Sequence, residues 1–257
     1  MRITASIQAR LGSTRFPGKV LKTICGKPML LWQVERIRRS RLVDEVYVAT
    51  TCLPQDDEIE EFCSKHNILC YRGAENDVLN RIASFIRELN VEIHLECYGD
   101  SPLIDPHLID EFIGYFLKYS GQIDYVSNAL KTTYPPGMEV VLYPGHVLDA
   151  LDRKLSGDDP LREHVGFNIT RFPERYRLAG LEAPPCYFRP NIYLEVDTQN
   201  DFEVVSRVVS YFVEQNCECF TLSQIIHFLD QSPKLTALNS SIERRWKPLR
   251  EQVSYRI

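Results

Sequence analysis

Short apolar runs alternate with amphipathic segments along the first half of this 257-residue chain, and this alternation limits the possible folds more than any other feature. The apolar runs with the length of strands are residues 3–9, 43–50, 68–71 and 91–97. The segments with apolar residues three or four apart, the spacing of one helix face, begin near Lys27 and cover 56–66, 77–89 and 106–119. Strands that alternate with helices form βαβ units, whose strands pair in parallel. The pattern predicts an α/β fold, with a mainly parallel sheet flanked by helices.

The second half of the chain is less regular. Further strands are predicted at 123–127, 138–143, 176–181 and 193–196, and further helices at 147–154, from residue 158, at 202–213 and at 222–229. Because no internal repeat or low-complexity linker divides the chain, residues 1–233 are predicted to form one domain, with about 130–190 as an excursion from the sheet. The polar tail, 234–257, contains an isolated Trp246 and suits packing on its own chain or on a partner.

Composition and charge argue against several classes of protein. Charged residues make up 25% of the chain, hydrophobic residues 44%, and the net charge is -5, all ordinary for a soluble globular protein. No long Lys/Arg face is apparent, so no nucleic acid is expected as a partner, and no apolar run approaches the ~20 residues of a membrane span. The first predicted strand leaves no room for a cleaved leader, and the eight cysteines include no Cys-x-x-Cys pair. We therefore expect a cytoplasmic protein with buried free thiols and no membrane association.

The loop after the first predicted strand carries the strongest functional signal. It contains Gly12 and Gly18, which permit backbone conformations closed to other residues, and the cations Arg10, Arg15 and Lys19. Main-chain N–H groups combined with cations suit a polyphosphate, whose oxygens accept charge-assisted hydrogen bonds. The loop is not a Walker A sequence, since five residues rather than four separate the glycines, and it is not a Gly-x-Gly-x-x-Gly fingerprint.

Two aspartates follow predicted strands and are candidate ligands of a divalent cation. Asp100 lies in Gly99-Asp100-Ser101-Pro102, and Asp197 precedes Thr198. Magnesium binds one or two carboxylates together with phosphate oxygens, and ligands of parallel sheets bind beyond the carboxyl ends of the strands. The alternatives from local sequence are an Asx-turn at Asp100 and a helix cap at Asp197 or Thr198.

These strings resemble the signatures of a known family. Residues 4–19, Gly99-Asp100-Ser101-Pro102 and Val196-Asp197-Thr198 are similar to motifs of the cytidylyltransferases that make CMP-activated sugars. That family includes the CMP-KDO synthetases, the acylneuraminate cytidylyltransferases and the SpsF-like spore coat polysaccharide proteins. The motifs of the SpsF-like proteins are the most similar to these strings. The resemblance extends over roughly residues 1–230. It implies a single Rossmann-like nucleotide-diphospho-sugar transferase fold, in which the 130–190 region caps the acceptor and contributes to a homodimer.

The resemblance also implies an activity and a set of site residues. A sugar hydroxyl would attack the α-phosphorus of CTP, with release of pyrophosphate, in surface polysaccharide or glycan biosynthesis. Asp100 and Asp197 would bind Mg²⁺, and Arg15 and Lys19 would hold the β and γ phosphates; we expect these four to be the catalytic residues. The residues expected to bind CTP are Ala9, Arg10, Gly12, Ser13, Arg15, Lys19, Asp77 and Arg81.

The acceptor side carries the least specific signals. The residues expected to bind the sugar are Tyr134, Glu139, Arg162 and His164. Arg162 and His164 would engage an acidic group of the acceptor, although an Arg-Glu-His string on a helix surface is the alternative. Ser101 stands where the CMP-KDO synthetases have Glu, and Leu11 stands in the loop where the sialate enzymes have Gly. The identity of the sugar is therefore open.

Three other functions remain as alternatives. A sugar-1-phosphate nucleotidylyltransferase would share the architecture, but it usually carries Gly-x-Gly-Thr-Arg in the loop. A GT-A glycosyltransferase should show Asp-x-Asp after a middle strand, and Gly99-Asp100-Ser101 lacks the second carboxylate. A non-catalytic nucleotide-binding module would not need Arg15, Lys19 and both aspartates together.

Overall fold

A seven-stranded sheet forms the centre of the protein, seen here in a computed structural model that describes residues 1–251, with side chains described up to residue 248. The strands are β1 (Ile3–Gln8), β2 (Thr23–Ile24), β3 (Lys27–Pro28), β4 (Glu45–Thr51), β5 (Leu69–Gly73), β6 (Ile93–Tyr98), β7 (Tyr125–Ser127), β8 (Val141–Pro144) and β9 (Leu178–Gly180). The order across the sheet is β5-β4-β1-β6-β8-β7-β9, and β2 and β3 form a separate antiparallel pair. The α/β fold predicted from the sequence is confirmed.

Helices cover both faces of the sheet. They are α1 (Met29–Ile37), α2 (Asp57–Lys65), α3 (Val78–Glu88), α4 (Pro106–Lys118), α5 (Gly145–Asp152), α6 (Phe167–Thr170), α7 (Gln199–Glu214), α8 (Leu222–Asp230), α9 (Pro233–Thr236) and α10 (Trp246–Glu251). Short 3-10 turns lie at Lys19–Leu21, Pro54–Asp56 and Pro160–Glu163. Successive strand residues point to opposite faces, so Leu142 packs in the core under α1, α4, α7 and α8, whereas Val141 and Tyr143 pack under α3 and α5.

One half of the sheet is parallel and carries the first half of the sequence. Strand β1 pairs in parallel with β4 on one side and with β6 on the other. It lies between two strands and under helices on both faces, and Ile3 to Ile7 are all buried. The carboxyl ends of β1 and β6 meet directly, since Gln8 lies opposite Tyr98. The loops that follow these strands therefore leave the sheet at the same edge.

The other half of the sheet is mixed and corrects one prediction. Strand β8 runs antiparallel to β6 and to β7, and β9 pairs in parallel with β7 at the far edge. The 130–190 segment is thus not a simple excursion, because it contributes both β8 and β9 to the main sheet. The antiparallel pairing of β8 with β6 explains why the βαβ alternation is lost here: an antiparallel neighbour needs no helical crossover.

Two predicted elements are replaced by irregular structure. Residues 193–196 are not a strand, since their amides bond to carbonyls of loops: Leu194 N donates to Pro136 O at 2.7 Å, and Val196 N donates to Asp100 O at 2.8 Å. The helix predicted from residue 158 is a 3-10 turn followed by the short α6, with His164 between them in a non-helical conformation. The apolar pattern in both places reflects burial among loops.

Three further features are the state of the cysteines, the length of the helices and the path of the tail. All eight cysteines are free thiols, but only Cys63 and Cys97 are buried, so the expectation of buried thiols is wrong for the others. None of the helices in residues 1–251 is long and apolar enough to cross a membrane. The described part of the tail folds back on its own chain, where Asn239 and Arg244 are buried.

Candidate active site

The site lies at the edge of the sheet where β1 and β6 end. The turn after β6 approaches β1 closely: Gly99 N donates to Gln8 O at 3.0 Å, and a Cβ at Gly99 would lie 2.5 Å from that same carbonyl oxygen. A side chain cannot fit in this space, so a glycine is needed at position 99. The close approach places Asp100 beside the loop that leaves β1.

The loop of residues 10–19, called here the phosphate loop, is fastened by its backbone. Leu11 N donates to Asp56 Oδ1 at 2.8 Å, and Gly18 N donates to Leu11 O at 3.0 Å, which closes the loop on itself. Gly18 adopts the left-handed conformation, with φ of 67°, and directly precedes the turn that contains Lys19. These bonds fix the backbone position of Lys19, from which its side chain extends.

Two expectations for this loop differ from the structure. Gly12 has no positive φ, so conformational freedom does not explain it; a Cβ there would instead lie 3.0 Å from the Gln55 side chain. The Ser13 amide, expected to face a phosphate, donates to Leu11 O at 2.8 Å. In this conformation the side-chain cations, more than the Ser13 amide, are the groups available to an anion.

Lys19 brings the two aspartates together. Its ammonium lies 3.6 Å from Asp100 Oδ2 and 3.3 Å from Asp197 Oδ1, and it donates to Val196 O at 2.6 Å. The Lys19 side chain is mostly buried, whereas about a third of the Asp100 side chain, 31%, is exposed. Asp100 and Asp197, 97 positions apart in the sequence, thus converge on one point.

Arg15 makes the second link between the phosphate loop and Asp197. Its Nη2 lies 2.5 Å from Asp197 Oδ2, and its Nη1 donates to Glu243 O at 3.1 Å. Both Asp197 oxygens therefore contact cations of the loop, one to Arg15 and the other to Lys19. The predicted juxtaposition of Arg15, Lys19, Asp100 and Asp197 is what the structure contains.

Asp197 is held by the start of α7 and not by a strand. Thr198 caps this helix, and Asp201 closes a capping box by accepting from Thr198 N at 2.8 Å and from Asp197 N at 3.1 Å. The capping role considered for this stretch thus belongs to Thr198 and Asp201. The Asp197 carboxylate remains directed at the loop cations.

Burial raises the pKa of Asp100, and the neighbouring carboxylates Asp197 and Glu139 raise it further, while the Lys19 ammonium opposes them. A carboxylate pair of this kind is most stable next to positive charge. Two carboxylates beside cations that can bind a polyphosphate are a donor set that fits Mg²⁺, which usually takes its other ligands from phosphate and water. Within residues 1–251 no cluster of three or more His, Cys, Asp or Glu side chains is arranged to hold a metal by itself, so such a site would depend on the nucleotide.

The other residues expected to bind CTP are dispersed around the phosphate loop. Ala9 is buried and donates its amide to Ala49 O at 3.2 Å, and Arg10 reaches Glu163 Oε1 at 3.5 Å. Arg81 is buried behind the loop, where it donates to a carbonyl; burial, with a smaller contribution from Arg10, lowers its pKa to about 10. Arg10 and Arg81 are thus close neighbours.

Asp77 differs from expectation. Its Oδ1 accepts from Asn80 N at 2.8 Å as the cap of α3, and its Oδ2 lies 2.8 Å from Arg162 Nε. Both oxygens are engaged within the protein, so the contacts of Asp77 are those of a structural residue.

A cavity of about 280 Å³ opens next to the aspartates. Its lining is Gln8, Tyr98, Asp100, Ser101, Tyr125, Ala129, Leu130, Glu139, Glu163, His164, Phe167, Thr170, Glu195 and Trp246. The ends of β1 and β6, the region of β7, the turn around Glu163 and the tail all contribute. A cavity of this size beside a phosphate loop can hold a small molecule.

Two of the four residues expected to bind the acceptor line this cavity. Glu139 does, and its Oε2 accepts from Gly137 N at 2.8 Å; His164 does as well, with a pKa lowered by burial. Tyr134 does not, because it is buried against the rings of Phe112 and Tyr187.

Arg162 also lies away from the cavity. Only 7% of its side chain is exposed, and its guanidinium pairs with Asp77 and Asp152. The expected contact between Arg162 and an acidic acceptor is therefore wrong for this structure, because two carboxylates from distant segments already neutralise the cation.

Glu195 and Trp246 are two of the cavity residues that the sequence did not identify as substrate-binding. Burial and the carboxylates of Glu139 and Asp100 raise the pKa of Glu195 to about 8, against the opposing effects of Trp246 and Arg244. The only signals in the sequence were the position of Glu195 next to the Val196-Asp197 string and the isolation of Trp246 in a polar tail.

Comparison with known proteins identifies the family of this chain. The family model described as cytidylyltransferase matches residues 4–231. The chain belongs to the cytidylyltransferase family. This cytidylyltransferase is 31% identical to the spore coat polysaccharide biosynthesis protein SpsF of Bacillus subtilis over 231 residues, covering 88% of this chain and 93% of the relative.

Two further relatives place this cytidylyltransferase among enzymes. The 3-deoxy-manno-octulosonate cytidylyltransferase of Geobacter sulfurreducens is 43% identical over 116 residues, 44% of each chain. The solved structure of a cytidylyltransferase from Leptospira borgpetersenii superposes with a TM-score of 0.87 at 28% identity, covering 95% of this chain and 100% of that one. The fold and the nucleotidyltransferase class expected from the sequence are thereby confirmed.

Proposed function

We propose that this cytidylyltransferase transfers CMP from CTP to a hydroxyl of a sugar, giving a CMP-sugar and pyrophosphate. The observation that carries the proposal is the convergence of Asp100 and Asp197 on the Lys19 ammonium at 3.6 and 3.3 Å, directly beside the cavity. By analogy with the SpsF match, we propose a role for the product in surface polysaccharide biosynthesis. A homodimer and a cytoplasmic location stay predictions.

The cations of the phosphate loop supply the first part of the mechanism. Arg15 and Lys19 would exchange part of their contacts with Asp197 for oxygens of the β and γ phosphates, where negative charge grows as pyrophosphate leaves. Asp100 and Asp197 would hold Mg²⁺, which neutralises phosphate charge when bound. Phosphoryl-type transfers depend mainly on such positioning and charge stabilisation.

The acceptor reacts from the cavity. The oxygen of its hydroxyl forms a bond to the α-phosphorus, and the bond between that phosphorus and the bridging oxygen of the β phosphate breaks. Glu139 lines the cavity with a carboxylate fastened by the Gly137 amide at 2.8 Å, and we propose that it accepts the hydroxyl proton.

The charge of the cavity bears on the class of acceptor. Four carboxylates line it, those of Asp100, Glu139, Glu163 and Glu195, and no Lys or Arg is among the lining residues that the structure describes. Carboxylates accept hydrogen bonds from hydroxyl and ammonium groups and repel another carboxylate. Cations face three of these groups, however, and the pKa of Glu195 is raised to about 8, so the lining does not exclude an acidic sugar. We therefore propose an acceptor that is recognised by its hydroxyl or amino groups, whether or not it carries a carboxylate.

Pyrophosphate release tests the proposal. The wild-type protein is incubated with Mg²⁺ and each of the four nucleoside triphosphates, over a panel of 3-deoxy-ulosonic and nonulosonic acids, with and without amino substituents, and of sugars that lack a carboxylate. We expect release with CTP only, and with at least one sugar of the panel. Turnover of a sugar 1-phosphate with UTP or GTP would favour the sugar-1-phosphate nucleotidylyltransferase alternative, and CTP binding without any turnover would favour the non-catalytic module.

A further inference from the structure

A stretch of the tail, residues 239–248, is part of the active site, although it lies beyond residue 231, where the family match ends. We propose that Trp246 of this C-terminal segment is a specificity-determining residue for the acceptor sugar. It forms one wall of the acceptor cavity and holds Glu195 in place there. This inference rests on the proposed function, because it names a determinant of the acceptor in that same reaction.

The contact between Trp246 and Glu195 carries the inference. Both side chains line the cavity, and the indole Nε1–H is shared between the two carboxylate oxygens of Glu195, at 2.8 and 3.1 Å. This bond fixes the orientation of the carboxylate. It also uses the one polar group of the indole within the protein, so the ring offers the cavity an apolar surface.

The C-terminal segment is held firmly enough to act as a wall. The Arg244 side chain is completely buried, donates to Asp201 Oδ1 at 2.8 Å and lies 4.2 Å from the ring centroid of Tyr193. Asn239 donates to the same Asp201 oxygen at 2.9 Å, and Lys247 Nζ donates to Tyr193 Oη at 2.6 Å. A buried charge-assisted bond of this kind is costly to break, so the backbone on either side of Arg244 has a defined position.

The same anchors connect the segment to the reacting groups. Asp201, which holds Arg244, also accepts from the amides of Asp197 and Thr198. On the other side, Glu243 O accepts from the Arg15 guanidinium that contacts Asp197. The position of Trp246 is therefore fixed relative to Asp100 and Asp197. A sugar that packs against its ring would hold its hydroxyl groups at a defined distance from these aspartates.

The chemistry of this wall matches a sugar ring. A sugar has C–H groups, which pack on an aromatic surface, and hydroxyl groups, which donate to carboxylates. Trp246 provides the first kind of contact and Glu195 the second, side by side. Nucleotide contacts, in contrast, depend on the phosphate loop. A change of the Trp246 side chain should therefore affect the binding of the acceptor and leave the binding of CTP unchanged.

Steady-state kinetics of Trp246→Ala and Trp246→Phe, with the best acceptor of the panel, test this inference. We expect the KM for the acceptor to rise about tenfold in Trp246→Ala, which loses the wall and the bond to Glu195. Trp246→Phe, which keeps a six-membered ring but loses the N–H group and the rest of the indole, should show a smaller rise. The KM for CTP should stay within about twofold in both. Ser241→Ala, at an exposed position of the same segment, is the matched control and should leave both constants unchanged.

The outcomes separate this inference from the proposed function. An active wild type with an unchanged acceptor KM in Trp246→Ala would overturn the role of Trp246 and leave cytidylyl transfer intact. A parallel rise of both KM values would also overturn it, because it would indicate a general loss of structure. A wild type that releases no pyrophosphate with any acceptor would remove the proposed function, and with it this inference.

Discussion

The two sides of the active site are built in different ways. On the nucleotide side, the phosphate loop and Asp100 follow neighbouring parallel strands, and the cations Arg15 and Lys19 lie within one short stretch of sequence. On the acceptor side, the cavity is assembled from the ends of β1 and β6, from Glu139, from the turn around His164 and from the C-terminal segment. The cations of the nucleotide side are therefore local in the sequence and regular strand pairing brings Asp100 to them, whereas the acceptor side, like Asp197, depends on less regular tertiary packing.

This difference also appears in the charges. The phosphate loop presents cations to an anionic nucleotide, and the cavity presents carboxylates to the acceptor. The two meet at Asp100, which contacts Lys19 and also lines the cavity. A change at Lys19 should consequently affect the chemical step itself, and changes deeper in the acceptor side should affect binding or stability.

The largest effect is expected for Lys19→Met, which keeps most of the side-chain length and removes the charge between Asp100 and Asp197. Loss of a preorganised group of this kind costs about 10²–10³-fold in rate, so we expect kcat for pyrophosphate release to fall by that factor. Lys22→Met is the matched control, since Lys22 is an exposed cation of the same region that lies over the ring of Phe16. Equal activity of the two variants would show that the nucleotide side does not depend on Lys19.

What could be predicted from the sequence follows the same division. Lys19 and Asp100 were predictable, because a glycine-containing loop and an aspartate after a buried strand lie at a known edge of a parallel sheet. Arg162 was not, since its partners Asp77 and Asp152 are brought to it only by the packing of α3 and α5. A single cation in a polar string looks the same whether it is exposed or neutralised by distant residues.

The strand predicted at 193–196 failed for a related reason. Leu194 and Val196 are fully buried, as a strand pattern requires, but their amides bond to loop carbonyls of Pro136 and Asp100. An apolar alternation reports burial and does not report which backbone groups are the partners. Trp246 could not be assigned for a different reason: a lone aromatic residue in a polar tail has no periodic pattern around it, so the sequence does not indicate what it contacts.

Gly137 tests whether the acceptor side depends on this loop packing. Its φ is 100°, and a Cβ would lie 2.5 Å from the backbone of Leu194 and Glu195. Gly137→Ala should lower the free energy of unfolding by about 2 kcal/mol or more, because both the left-handed conformation and the contact are unfavourable. Urea denaturation measures the change. In Gly114→Ala, the control, the new methyl group on α4 meets no atom within 4 Å and should stabilise the protein by about 0.5–1 kcal/mol.

The stability of Gly137→Ala indicates whether the backbone around Glu195 is fixed. If Gly137→Ala were as stable as wild type, the backbone of 193–196 would have to move freely, and Glu195 would then not hold a fixed position in the cavity. If Gly137→Ala is destabilised while the KM for CTP of the folded protein is unchanged, then a change in the packing of the acceptor side does not affect the nucleotide side.

A buried polar network lies where the parallel half of the sheet meets the mixed half. His94 of β6 contacts Ser6 Oγ through Nε2 at 2.8 Å and Tyr143 Oη through Nδ1 at 2.9 Å, and Tyr143 donates to Glu96 Oε2 at 2.8 Å. Since Tyr143 donates its one proton to Glu96, His94 Nδ1–H must donate to Tyr143, and Nε2 accepts from Ser6. The network joins β1 and β6 of the parallel half to β8 of the mixed half.

The two titratable members of this network should have opposite and nearly cancelling effects on stability. Burial lowers the pKa of His94 from 6.5 to about 3, so the unfolded state binds its proton first and stability is lost as the pH falls below 6.5. Burial raises the pKa of Glu96 from 4.5 to about 6, so its contribution is present below pH 4.5 and is lost as the pH rises through 6. Between pH 4.5 and 6 the two slopes oppose each other.

Removing either group should therefore leave the pH dependence of stability that the other group causes. From pH 6.5 to 4.5, Glu96→Gln should lose about 2 kcal/mol more unfolding free energy than wild type, and His94→Gln should gain about 2 kcal/mol relative to it. Urea midpoints at pH 4.5, 5.5 and 6.5 measure both changes, with wild type as the common reference for all other groups. Parallel pH profiles of the two variants would mean that β6 and β8 do not bury these groups together.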